Sequence, residues 1–125
     1  ALRTGRILIV DDEEMLRSLA KDMLSAAGHE VEMCDDGKAA VAYYREHWQE
    51  IDLILLDMIM PNMYGCEAFH AMRAINPQAR VVLVSGHAVT ADIKELLNSG
   101  AIASIDKPFN YETLSQAVAD GLAGG

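Results

Sequence analysis

Carboxylates, a hydroxyl and an ammonium recur in this chain at one kind of place, the end of a short apolar run. Ile7-Leu8-Ile9-Val10 leads into Asp11-Asp12, Leu53-Ile54-Leu55-Leu56 into Asp57, Val81-Val82-Leu83-Val84 into Ser85, and Ala103-Ser104-Ile105-Asp106 into Lys107. If the runs are parallel strands of one sheet, these endings share one edge. Three carboxylates gathered there repel one another and lose hydration, so they need raised pKa values or a bound cation. A hard divalent ion is the simpler answer, because Mg2+ takes oxygen ligands, uses one or two carboxylates and keeps positions open for water and phosphate oxygens. Zinc fits poorly, since His29, His47, His70 and His87 have no paired ligand spacing. Lys107 can set a compact positive charge against a phosphoryl oxygen, and Ser85 can offer a hydroxyl to another. Asp57 then has the features of a phosphoryl acceptor: a carboxylate nucleophile beside a metal, with donors to stabilise charge on the transferring group.

The segments between the runs must bring these endings together, and they read as helices. Leu16, Leu19, Ala20, Met23, Leu24 and Ala27 recur at the spacing of one buried helix face, and Gly28 follows where a helix-terminating glycine belongs. Glu30 to Cys34 reads as a second strand. A helix from about Gly37 to Trp48 has Asp36 as its N-cap and Ala40, Val41, Tyr44 and Trp48 facing inward. Gly65 to Ile75 gives a third helix with Phe69 and Met72 inside, stopped by Asn76-Pro77. A weaker helix runs from about Thr90 to Asn98. The last follows Asn110 with Leu114, Val118 and Leu122 on one side. Strand and helix alternating with short connections specify a doubly wound α/β fold, a five-stranded parallel sheet covered on both faces. Its ligand site belongs at the carboxyl ends of the strands, where Asp11, Asp12, Asp57, Ser85 and Lys107 stand.

Composition narrows the classes further. The chain has 125 residues, 51% of them apolar, which suits one domain over residues 1–125 with a core from about 5 to 122. A net charge of −9 opposes binding to nucleic acid or anionic lipid. Cys34 and Cys66 lie in no metal or redox spacing, and reduced thiols are expected. No apolar run reaches the ~18 residues that span a bilayer, and the expectation is a cytoplasmic protein.

In order along the chain, the acidic pair Asp11-Asp12, the run Leu55-Leu56-Asp57-Met58-Ile59-Met60-Pro61 with Gly65, Ser85-Gly86 and Lys107-Pro108-Phe109 resemble the receiver domain of two-component response regulators such as the chemotaxis regulators. The resemblance covers about Gly5 to Leu122. It implies a flavodoxin-like (βα)5 fold of strand order 2-1-3-4-5 and phosphorylation of Asp57 by the phosphohistidine of a sensor histidine kinase or histidine phosphotransfer domain. It also implies Mg2+ held directly by Asp12 and largely through water by Asp11, with Asp57 and the backbone carbonyl of Ile59 as further ligands. Ser85 and Lys107 would bind the phosphoryl group. The surface of the fourth helix, fifth strand and fifth helix would report to a downstream effector domain or protein, from a monomer or weak dimer. Such a domain catalyses only its own phosphorylation and dephosphorylation, a switch more than an enzyme. Two positions depart from the family. Ser104 stands where members often carry an aromatic residue that follows the hydroxyl inward, and Tyr64 where the loop more often has Asp or Asn. Tyr64 and His87 are expected to shape the mouth of the site.

Other readings are weaker on the residues themselves. A haloacid-dehalogenase-type phosphatase needs a second Asp two residues after the nucleophile, and Ile59 is there. A serine hydrolase needs a glycine two residues before Ser85, and a dinucleotide site needs glycines where the chain has Asp11-Asp12. A phosphate-independent interaction module is the remaining alternative. Glu13 and Glu14 read as acids opening a helix, His29, His47 and His70 as surface residues, and Met58, Met60 and Met63 as packing.

Overall fold

The apolar runs form strands β1 (Arg6–Val10), β2 (Glu30–Cys34), β3 (Leu53–Asp57), β4 (Val81–Ser85) and β5 (Ala103–Asp106). Between and after them lie helices α1 (Glu14–Ala26), α2 (Gly37–His47), α3 (Gly65–Ile75), α4 (Ala91–Asn98) and α5 (Tyr111–Ala123). The computed structural model describes residues 4–60, 63–86 and 90–123, so Pro61 and His87 lie outside the described residues. All strand pairings are parallel, in the order β2-β1-β3-β4-β5. Because β1 pairs with both β2 and β3, the winding reverses beside β1, and a crevice opens there at the carboxyl ends.

Successive residues of a strand point to opposite faces, and both faces here are covered. Leu8, Val10, Ile54, Leu56, Val81 and Leu83 pack on one side against α2, α3 and α4, where Tyr44, Phe69, Met72, Ile93 and Leu96 are buried. Ile7, Ile9, Leu53, Leu55, Val82 and Val84 pack on the other against Ala20 and Leu24 of α1 and Leu114, Val118 and Leu122 of α5. That double burial explains why the central strands are apolar without interruption. Met58 and Met60 are buried and Met63 packs on the same core, in keeping with a packing role.

Local sequence sets the element ends. Asp36 accepts a hydrogen bond from the Ala39 N–H at 2.7 Å and Asn110 Oδ1 one from Thr113 at 2.8 Å, so both cap their helices as read. Thr90 turns out to be the N-cap of α4 and not its first residue, its hydroxyl accepting from Ile93 N–H. Gly28 has φ +95°, the left-handed conformation that ends α1 cheaply for glycine. Trp48, the C-cap of α2, is half-buried and packs against the core, as read. Two expectations need correction. Leu19 is 45% exposed and Ala27, the C-cap of α1, is exposed, because a helix lying on a sheet buries a narrower stripe than the apolar repeat suggests. His29 is no plain surface residue: its Nδ1 accepts the Gly5 N–H at 3.1 Å, tying the start of β1 to the start of β2.

Among the described residues no helix is long and apolar enough to cross a membrane. Both cysteines are free thiols, and burial, aided by the charges of Asp35, Asp36 and Glu32, pushes Cys34 up to about 11.

Candidate functional site

Four strand ends build the site. Asp57 and Ser85 are the last residues of β3 and β4, while Asp11 and Lys107 each stand one residue beyond β1 and β5. Register aligns them, with Val10 beside Leu56, Asp57 beside Val84 and Ser85 beside Asp106. Main-chain bonds extend the alignment past the strands: Asp11 N–H donates to Cys34 carbonyl at 3.2 Å, Met58 N–H to Val84 at 3.0 Å and Lys107 N–H to Ser85 at 2.7 Å. Gly65 closes the loop from the other side, its N–H donating to Met58 carbonyl at 3.0 Å. A Cβ on Gly65 would meet Met58 Cα at 2.6 Å, so α3 can start this close to the acidic residues only with glycine.

The side chains converge accordingly. Asp11, Asp57 and Ser85 are buried polar residues, each 4% exposed, and Asp12 beside them is exposed. One carboxylate oxygen each from Asp11, Asp12 and Asp57 lies within 4.8 Å of the others. Lys107 Nζ reaches Asp11 Oδ2 at 2.9 Å, Asp57 Oδ2 at 3.2 Å and Glu13 Oε1 at 3.0 Å. The other oxygen of Asp57 accepts the Ile59 N–H at 3.3 Å. Oδ1 of Asp11 accepts the Glu13 N–H at 2.9 Å, and the Asp11 carbonyl accepts from Arg17 Nη1 at 2.8 Å, which fixes the turn leading into α1.

Charge balance follows from this geometry. Burial, and after it the charge of Asp11, raise the Asp57 carboxyl to about 6, although Lys107 and the Ile59 N–H pull it back down. Burial works against the Lys107 ammonium, but hydrogen bonds to Asp11 and Glu13 and the charge of Asp57 outweigh it and raise its pKa. One ammonium thus faces four carboxylates, an excess of negative charge held in a crevice. An oxygen-only donor set of that sign fits a hard divalent cation such as Mg2+.

The structure brings together Asp11, Asp12, Asp57 and Lys107, with Ser85 at the neighbouring strand end. Ser85 lines a cavity of about 440 Å3 with Met58, Ile59, Tyr64, Thr90 and Ile93. Tyr64 is 61% exposed at the start of α3, and Ser104 is half-buried on β5 beside Leu83. Glu13 is the residue that the sequence reading missed. It immediately precedes α1 without capping it through its side chain, and reaches across to Lys107 instead. Its place one step beyond the acidic pair is the signal, which gains meaning once the turn direction is known.

Comparison with known proteins agrees with this arrangement. The profile of the response regulator receiver domain matches residues 7–119. The chain is 35% identical over 114 residues to the chemotaxis protein CheY of Bacillus subtilis, covering 90% of this chain and 93% of that protein. A response regulator receiver domain protein from Clostridium thermocellum superposes with a TM-score of 0.91 at 25% identity, over 96% of this chain and 95% of that one. The CheX-CheY-BeF3-Mg+2 complex from Borrelia burgdorferi gives a TM-score of 0.87 at 29% identity, over 91% and 86%. With the profile running from β1 into α5 and the sheet order shared, the chain belongs to the response regulator receiver domain family of two-component signalling.

Proposed function

We propose that this domain accepts a phosphoryl group on Asp57 in a Mg2+-dependent reaction and passes the change on through the surface of α4, β5 and α5. The observation that carries the reading is the placement of Lys107 Nζ within 3.2 Å of both Asp11 and Asp57 at the shared strand edge. The donor would be a phosphohistidine of a sensor kinase or histidine phosphotransfer domain. A carboxylate oxygen of Asp57 forms the new P–O bond as the P–N bond of the donor breaks, and the electron pair leaves with the imidazole. Asp11, Asp12, Asp57 and the carbonyl of Ile59 would hold the ion, which when bound neutralises charge on the phosphoryl oxygens.

The chain's own residues supply the rest. Lys107 keeps Asp57 ionised for attack and then turns its ammonium to a phosphoryl oxygen. Ser85 offers its hydroxyl to another. The added charge biases the loops after β4 and β5 between two arrangements. With Ser104 on β5 in place of an aromatic residue, that response runs through the Ser85 and Lys107 loops without a ring moving in the strand.

Incubation with Mg2+ and acetyl phosphate, followed by intact mass, tests the reading. The wild type gains one phosphoryl mass and Asp57→Asn gains none. Lys107→Ala still labels to some extent but loses the conformational response, read as amide shifts in α4 and β5. A wild type that never gains mass under these conditions overturns the acceptor reading and leaves a phosphate-independent interaction module.

A further inference from the structure

We propose that Glu13 is a positioning residue for Lys107, holding its ammonium in the unmodified protein and competing with the phosphoryl group for it. The inference rests on the acceptor reading above and deepens it. An ammonium has three N–H donors, and Lys107 commits them to Asp11 at 2.9 Å, Glu13 at 3.0 Å and Asp57 at 3.2 Å. A phosphoryl oxygen arriving on Asp57 must therefore displace one of these partners.

Exposure decides which one yields. The Asp11 side chain is 6% exposed and its other oxygen already holds the Glu13 N–H, so it gives up the ammonium less readily than an exposed acid does. Asp57 carries the new group, and its contact can pass to a phosphoryl oxygen only if Nζ shifts with it, away from a partner able to release it. The Glu13 side chain is 61% exposed, and water replaces its partner at little cost. Its backbone stays pinned meanwhile, by the bond to Asp11 and by Arg17 N–H donating to its carbonyl at 3.0 Å. Glu13 is thus a weak, reversible tether on the residue that must move, and it biases the domain toward the unmodified state.

Neighbouring Glu14 provides the control. It lies in the first turn of α1, where an acid suits the helix dipole, and it has no role in this proposal.

The test is an equilibrium titration with beryllofluoride, a phosphoryl mimic, at saturating Mg2+, followed by the amide shifts of the loop after β5. Glu13→Gln tightens binding roughly two- to fivefold, the range of one exposed ion pair, and Glu14→Gln leaves it unchanged. Glu13→Asp retains the charge but falls short by one C–C bond, about 1.5 Å, so it tightens binding as the Gln variant does. In a Lys107→Ala background the Glu13→Gln effect disappears. An unchanged affinity in Glu13→Gln overturns the proposal alone, as does a Glu13→Asp protein that behaves like the wild type, which would reveal a general charge effect. Failure of the wild type to bind beryllofluoride at all overturns the acceptor reading, and this proposal with it.

Discussion

The two ends of the sheet carry similar charges and differ in their water. At the carboxyl end Lys107, its side chain 14% exposed, meets Asp11, Asp57 and Glu13. At the amino end the Arg6 side chain, 34% exposed, meets Glu30 and Glu50 at 2.9 and 3.2 Å, and its backbone N–H donates to Asp52 at 2.9 Å. Each cluster sets three acids against one basic residue, and Asp12 adds a fourth carboxylate at the carboxyl end. Around Arg6 the carboxylates are exposed, with Glu30 at 72% and Glu50 at 58%, and solvent screens the charges. Around Lys107 two of the three are buried, and the Asp57 carboxyl moves up to about 6. Desolvation, more than the number of charges, separates the strand-end cluster from a solvated rim.

Removing the basic residue at each end tests that distinction most severely. Lys107→Ala should cost about 3 kcal/mol in metal-free buffer, the low end for breaking a buried ion pair, because Asp57 can relieve the excess charge by taking up a proton. Arg6→Ala should lower the melting temperature far less. Urea denaturation of both proteins in EDTA would check this, and equal losses would break the comparison.

A second prediction reverses the sign. If negative charge is in excess at the carboxyl end, Asp57→Asn should stabilise the metal-free fold, by about 1 kcal/mol, whereas Glu50→Gln should not. Mg2+ should raise the melting temperature of the wild type in proportion to the logarithm of its concentration and do so much less for Asp57→Asn. Thermal melts across a Mg2+ series read both effects. Stabilisation of equal size by Glu50→Gln would mean that global charge relief, not the crevice, is responsible.

What was legible in the sequence follows the same division between local and long-range physics. The strand-end positions of Asp11, Asp57, Ser85 and Lys107 could be read because each apolar run leads into its candidate residue, whereas the sheet order came with the resemblance to the receiver family. The caps Asp36 and Asn110 act within three residues and were equally plain. Leu19 misled because the width of a buried helix face depends on the surface beneath it, which periodicity does not carry. Glu13 was missed because its partner is 94 positions away. His29 was missed for a similar reason, since its bond to Gly5 exists only once β1 and β2 lie side by side.

His29 also supplies the smallest and sharpest test of the comparison, because it is a half-buried titrating group at the more solvated end. Its Nδ1 accepts the Gly5 N–H, which requires a free lone pair there, and burial lowers its pKa below the ordinary histidine value. The unfolded chain, with histidine near about 6.5, then binds more protons than the folded one between the two pKa values. Stability should accordingly rise with pH through that window, level off above about 6.5, and be diminished below it. Asp57 tilts the opposite way, since a raised carboxyl pKa makes the folded state the better proton binder as pH falls toward 6. The difference between wild type and His29→Asn removes that shared background, because asparagine can accept the Gly5 N–H without titrating. Urea denaturation between pH 5 and 7.5 should show the wild type losing about 0.5 kcal/mol or less relative to the variant at the acid end, the size suited to a partly exposed ring. Parallel profiles would mean that losing the Gly5 contact costs nothing on protonation, and that this half-buried contact is as solvated as the rim around Arg6.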